Sequence, residues 1–167
     1  MEKEMNVTQK QGVRMNASAL LDADMQDVRQ FLREVRHGYL YTQMLCERAE
    51  RYREMAMKAT SRTDAIRISG TPGRSKVETY VLELVDVHDE LKKEMEKLLE
   101  KSRRAERIIG LLEDDRYRVV LQFRYLCGMK WEEIAQKLMF TLRWTHKLHN
   151  DALNALERVC RRAAAMN

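Results

Sequence analysis

The chain has 167 residues, a length that suits one domain or two small ones and excludes a large multidomain machine. One proline, six glycines, 34% charged residues and eleven methionines make a composition of long helices, and no apolar run approaches the roughly 18 residues that a membrane span needs. The net charge of +5 is unevenly spread: residues 1–115 carry 21 Lys/Arg against 22 Asp/Glu, whereas residues 116–167 carry 10 against 4, an electrostatic footprint for a polyanion in the last third.

No charged n-region followed by an apolar stretch and a small-residue cleavage site opens the sequence, so the expected compartment is the cytoplasm. Cys46, Cys127 and Cys160 are odd in number, far apart and without CxxC spacing, which points to reduced structural thiols. Residues 1–18 lack a hydrophobic period and read as a disordered tail. From about Leu20 to Ala59, Val28, Phe31, Leu32, Val35, Tyr39, Leu45, Ala49, Tyr52 and Ala56 recur near helical spacing, with Gly38 loosening the middle. Residues 60–76 gather the only proline, two glycines and several small polar residues into a loop.

A second long helix follows over residues 77–112. Its seam runs Val77, Val81, Leu84, His88, Leu91, Met95, Leu98, Ser102, Ala105, Ile109 and Leu112, in alternating steps of four and three. Such a repeat specifies coiled-coil packing against another helix, either the preceding one in a hairpin or a copy of itself. His88 and Ser102 occupy seam positions where Val or Ile is usual, and polar residues there fix register and partner number.

Residues 113–167 read as a separate module of three short helices. Glu113, Asp114 and Asp115 suit a helix start, and Tyr117, Val120, Leu121, Tyr125 and Leu126 make one face up to Cys127-Gly128. Trp131, Ile134, Ala135 and Leu138 share a face of the second helix. Thr141 is a good N-cap for the third, whose inward stripe is Thr145, Leu148, Ala152, Leu153 and Leu156. A tight turn between the second and third helices defines a helix-turn-helix, in which the third enters the major groove of DNA.

No enzyme signature is present. In SGTPGRSK, Val77 stands where a phosphate loop needs a hydroxyl residue. His146 and His149 lie three apart without a thiolate or a further ligand, so they read as surface or groove-contacting side chains rather than a metal pair. Neither a cofactor nor a metal is expected, and the chain is not expected to be an enzyme.

The stretch YRVVLQFRYLCGMKWEEIAQKLMFTLRWTHKLHNDALNAL resembles the region-4-like helix-turn-helix of sigma factors. It resembles more closely the phage and prophage transcriptional regulators of the ArpU/RinA-like type, through RYL-x-G, W-E-E-I-A-x-K-L, the Thr turn and L-H-x-x-A-L. The helix, Ser/Gly-rich break and second long helix extend the likeness to about Val28–Leu156. Two residues depart from the pattern: Met139 stands at a turn position that is usually Gly, and Lys130 where a Ser or Thr cap is usual. The resemblance implies transcriptional control, commonly of phage late genes, in the cytoplasm of a bacterial host, through promoter DNA and host RNA polymerase. No module suited to melting DNA precedes residue 114, so an activator or promoter-recognition adaptor is expected rather than a complete sigma factor.

With Thr145, Leu148, Ala152 and Leu156 inward, the opposite face of the third helix, 142–157, presents Leu142, Arg143, His146, Lys147 and Asn150 as base-contact candidates. The resemblance maps base-reading positions onto Leu142, Arg143, His146 and Lys147 as well. Arg118, Lys130, Lys137 and Thr141 are the phosphate-contact candidates. Trp144 has two readings, packing partly buried against the second helix or stacking on a sugar or base.

The expected architecture is all-α: a long antiparallel coiled-coil-like hairpin over 19–112, then a small C-terminal helix-turn-helix domain. The expected partners are double-stranded DNA, host RNA polymerase and a second copy in a homodimer, with no membrane. Two rivals remain. One is an oligomeric DNA-packaging recognition subunit, which ring formation would reveal. The other is a coiled-coil protein-binding module acting on polymerase without DNA readout, in which Arg143 and Lys147 would be dispensable.

Overall fold

The computed structural model describes residues 27–63 and 75–165. The tail expected over 1–18, and residues 64–74 of the expected loop, lie outside the described residues. Five α-helices follow in order: α1 (Val28–Thr63), α2 (Lys76–Ile109), α3 (Asp115–Leu121), α4 (Trp131–Leu138) and α5 (Leu142–Ala165), with a π-helical turn (Gln122–Leu126) continuing α3. The fold is all-α, with a long helix pair followed by a helix-turn-helix. Among the described residues no helix is long and apolar enough to cross a membrane.

Local chemistry explains most helix ends. Asp27 caps α1, its Oδ1 accepting from the backbone N–H groups of Arg29 and Gln30. The chain remains helical to Thr63, past the point where small polar residues suggested a break, and α2 resumes at Lys76. Asp114 caps α3 through the Arg116 N–H at 2.8 Å. Thr141 caps α5, its Oγ1 accepting from the Trp144 N–H at 3.2 Å.

The described residues form two compact units, divided within the long helices rather than at residue 113. In the unit formed by residues 38–98, α1 and α2 lie side by side and antiparallel. Leu45, Ala49 and Val87 are its buried apolar residues, flanked by Tyr41, Tyr52, Leu84 and Leu91. The Tyr41 hydroxyl donates to Glu90 at 2.5 Å, and Arg48 faces Glu83 at 3.9 Å. A Cβ on Gly38 would lie 3.3 Å from Leu98, so the missing side chain permits this close approach.

Around its midpoint α2 turns half-buried Leu84, buried Val87 and half-buried Leu91 inward, which corrects the register read from the sequence there, whereas Ala105, Ile109 and Leu112 of the expected seam are buried. Leu84 and Leu91 are common to both registers. The alternate position is Val87, three residues after Leu84, instead of His88, four after it. Val81, His88 and Met95, expected inside, are exposed. His88 therefore sets no register within this hairpin.

The other unit comprises residues 27–37 and 99–165. It has the larger core, including Leu32, Val35, Ala105, Ile108, Val120, Leu121, Ile134, Leu148, Ala152 and Leu156. Arg29 on α1 is tied to α5 through Glu157 and through Asn154 at 2.6 Å. Lys101 on α2 pairs with Glu34 on α1 at 3.1 Å, which holds the Glu34 carboxyl below its usual range. These surface contacts fasten α1 to α5 and to α2 around the buried core.

Candidate nucleic-acid interface

Two helix-end devices set the position of α5. At the start of α4, Lys130 has no acceptor with which to cap the helix, and Glu133 instead reaches back to accept from the Lys130 N–H at 2.7 Å. At its end, Met139 takes a left-handed conformation (φ 54°, ψ 38°), and the chain reverses with the Phe140 N–H bonded to the Ala135 carbonyl at 2.9 Å. The turn forms without glycine, against the Cβ strain of that conformation. Buried Ala135 is small enough for α5 to cross closely.

α5 then turns Thr145, Leu148, His149, Ala152, Leu153, Leu156 and Cys160 inward. At 3.6 residues per turn, the opposite side carries Arg143, Lys147 and Asn150, all exposed. These three base-contact candidates share one face. Leu142, at the first position of the helix, is 42% exposed on its margin. His146, one turn after Leu142 on the same margin, is half-buried, its ring 4.4 Å from that of Trp131, so it is turned toward the protein.

The phosphate-contact candidates are dispersed. Lys130 and Thr141 are exposed at the starts of α4 and α5. Lys137 is exposed on α4, with its ammonium 5.7 Å from the Phe123 ring. Arg118 lies on α3 and pairs with Asp115. Trp144 is 44% exposed, and the Lys147 ammonium sits 5.1 Å from its ring centroid. On a helical wheel Trp144 stands at the edge of the apolar stripe, between Leu148, four residues later, and Lys147, three residues later.

A polar-aromatic cluster supports this surface from beneath. The π turn, closed by the Cys127 N–H to the Gln122 carbonyl at 3.0 Å, aims Arg124 at the face of Trp131, 4.0 Å from the ring centroid. Arg124 also donates to the Met129 carbonyl, and burial beside the positive Arg36 lowers its pKa. Trp131 packs in turn against His149 at 4.8 Å. His149 is buried, its Nε2 is 3.0 Å from the Tyr125 hydroxyl, and burial pushes its pKa down to about 4. The sequence reading put this histidine at the surface or in a groove, whereas it is a neutral core residue linking α5 to the π turn. Among the described residues no group of three or more His, Cys, Asp or Glu side chains is placed to hold a metal.

A family profile described as "Protein of unknown function (DUF1492)" matches residues 57–157, more than half of the chain. The chain belongs to the DUF1492 family. No curated protein and no solved structure matches it. The part of this DUF1492 protein that the profile spans includes α2, the π turn with Arg124, the Met139 turn, and Arg143, Lys147 and Asn150 on α5.

Proposed function

We propose that this DUF1492 protein is a sequence-specific DNA-binding transcriptional regulator of the phage type, an activator or promoter-recognition adaptor for late genes that reads the major groove with α5. The observation that carries this reading is the solvent face of α5. Behind a threonine cap, Arg143, Lys147 and Asn150 stand together at the start of a helix held by its opposite side. Arg143 or Lys147 donates to guanine O6 and N7, and Asn150 pairs with adenine. Leu142 reaches a thymine methyl, while Lys130, Lys137 and Thr141 contact phosphates and set register. His146 contributes from the margin. The +6 balance of residues 116–167 supplies attraction for the backbone.

A single helix-turn-helix reads only a few base pairs, so two copies acting together on a two-part site raise both affinity and specificity. Host RNA polymerase is the second partner in this reading, and the site of action is the bacterial cytoplasm. Selection from random duplexes, followed by titration of the recovered site at several salt concentrations, tests the proposal. The expected result is a motif whose discrimination falls by about 1–3 kcal/mol at one position in Arg143→Ala or Lys147→Ala. Salt-sensitive binding that yields no motif would refute sequence readout by α5.

A further inference from the structure

Among its described residues, the unit formed by residues 38–98 buries only Leu45, Ala49 and Val87 of its apolar side chains, yet it exposes Leu40, Met44, Met55, Met57, Val81, Leu82, Val85 and Met95. On α1 the exposed apolar positions are separated by the charged residues Glu47 and Arg51. On α2, Val81, Val85 and Met95 share one exposed line with the polar residues His88 and Lys92, in steps of four, three, four and three, beside half-buried Leu84, buried Val87 and half-buried Leu91. α2 is therefore apolar over a wider arc than α1 covers, and its outer line has the spacing of a coiled-coil seam.

We propose that this outer line is closed by the same line of a second copy, antiparallel about a twofold axis between His88 and Lys92. The order of residues carries the choice of occupant and of direction. An antiparallel pairing sets Val85 of each copy against Met95 of the other and His88 against Lys92, with Lys92 beside the Asp89 carboxylate of the other chain. Val81 extends the contact outward. The same patch is thus complementary to itself, as a twofold interface requires. A parallel pairing would instead set Lys92 against Lys92 within the seam, like charge on like charge. The polar pair fixes register, as polar residues in such seams do. Because the seam is short, the dissociation constant is on the order of micromolar.

This inference names the surface behind the paired copies of the proposed function, and it is read without DNA, so either can fail alone. Sedimentation equilibrium of the full chain between about 1 and 100 µM, spanning the dissociation constant expected for a short seam, gives a monomer–dimer system. Val85→Glu weakens association at least about tenfold, because it sets a buried charge against Met95. Lys92→Glu weakens it too, and adding Asp89→Lys restores it by exchanging the charges across the axis. Met57→Glu, outside the line, leaves association unchanged, and helical circular dichroism confirms that each variant folds. A chain that stays monomeric across this range, a dimer indifferent to Val85→Glu, a dimer broken by Met57→Glu, or failure of the charge exchange to rescue would each overturn the proposal.

Discussion

Lowering the pH from 7 to 5 is expected to loosen the helix-turn-helix unit through His149. Its ring is buried against Trp131 and bonded to the Tyr125 hydroxyl. Burial holds its pKa at about 4, against 6.5 in the unfolded chain; the charges of Arg124, His146 and Arg29 act in the same direction, and Asn150 opposes them. Below pH 6.5 the unfolded chain takes up a proton that the folded one refuses, so stability is full above 6.5 and falls until about pH 4. At about 1.36 kcal/mol per pH unit, the loss at pH 5 is at most about 2 kcal/mol, and the ring's slight solvent contact reduces it to about 1–2 kcal/mol. For a unit of this size, that lowers Tm by roughly 5–10 °C. The carboxyls of Glu34 and Asp114, held low by Lys101 and Arg116, lose their contribution only in the carboxylate range or below it. The window between 6.5 and 5 therefore belongs to His149. Trp131 fluorescence in a Trp144→Phe background, followed through thermal unfolding at constant ionic strength, reports this unit. His149→Gln is expected to be less stable at pH 7 but nearly flat in pH. A wild-type Tm that does not change from pH 7 to 5, or a Gln variant with the same slope, would refute the reasoning.

Two substitutions at the ends of α4 test the turn chemistry. Met139→Gly removes the Cβ strain at φ 54° and is expected to stabilise the chain by about 0.5–1 kcal/mol in urea unfolding, after allowance for glycine's greater unfolded-state entropy; no gain would mean that the exposed Met139 side chain makes contacts that offset the strain. Lys130→Ser supplies the side-chain acceptor that α4 lacks and is expected to add about 0.5–1 kcal/mol. If Lys130 also meets a phosphate, the same variant lowers the slope of log affinity against log salt by about 0.9; an unchanged slope would remove it from the contact set.

Much of this architecture was legible because short-range chemistry decides it. Asp114 and Thr141 mark helix starts by their side-chain acceptors, and the stripe Thr145, Leu148, Ala152 and Leu156 orients α5 unambiguously. His149 was legible in principle, since it lies between Thr145 and Leu153 at four-residue steps, but its polarity favoured a surface reading until Tyr125 supplied a partner. The seam of α2 was legible at Ala105, Ile109 and Leu112 but misread around His88, for a different reason. Leu84 and Leu91 fit two registers equally well, and only the packing of α1 selects Val87 over His88. The π turn left no readable mark, because five residues are too few to show a period of their own.

The places where this chain departs from local rules fall into two groups, and each departure has a cost that the isolated chain does not recover. Around the start of α5, Met139 is 93% exposed in a conformation that disfavours its side chain, and Trp144 and Leu142 stand half in water beside Arg143 and Lys147. Along α2, Val85 and Met95 are 51% and 55% exposed at seam spacing. Fully burying an aliphatic side chain of this size is worth about 1.5–3 kcal/mol, so even half of that gain from a few residues matches the strength of a weak specific contact. Sequences consistent at every other level keep such exceptions where another surface meets them. In the function proposed above, the apolar edge beside Arg143 and Lys147 would meet the phosphates and thymine methyls of a major groove. In the pairing proposed above, the line of Val81, Val85 and Met95 around His88 and Lys92 would meet its own copy, and the two proposals stand or fall separately.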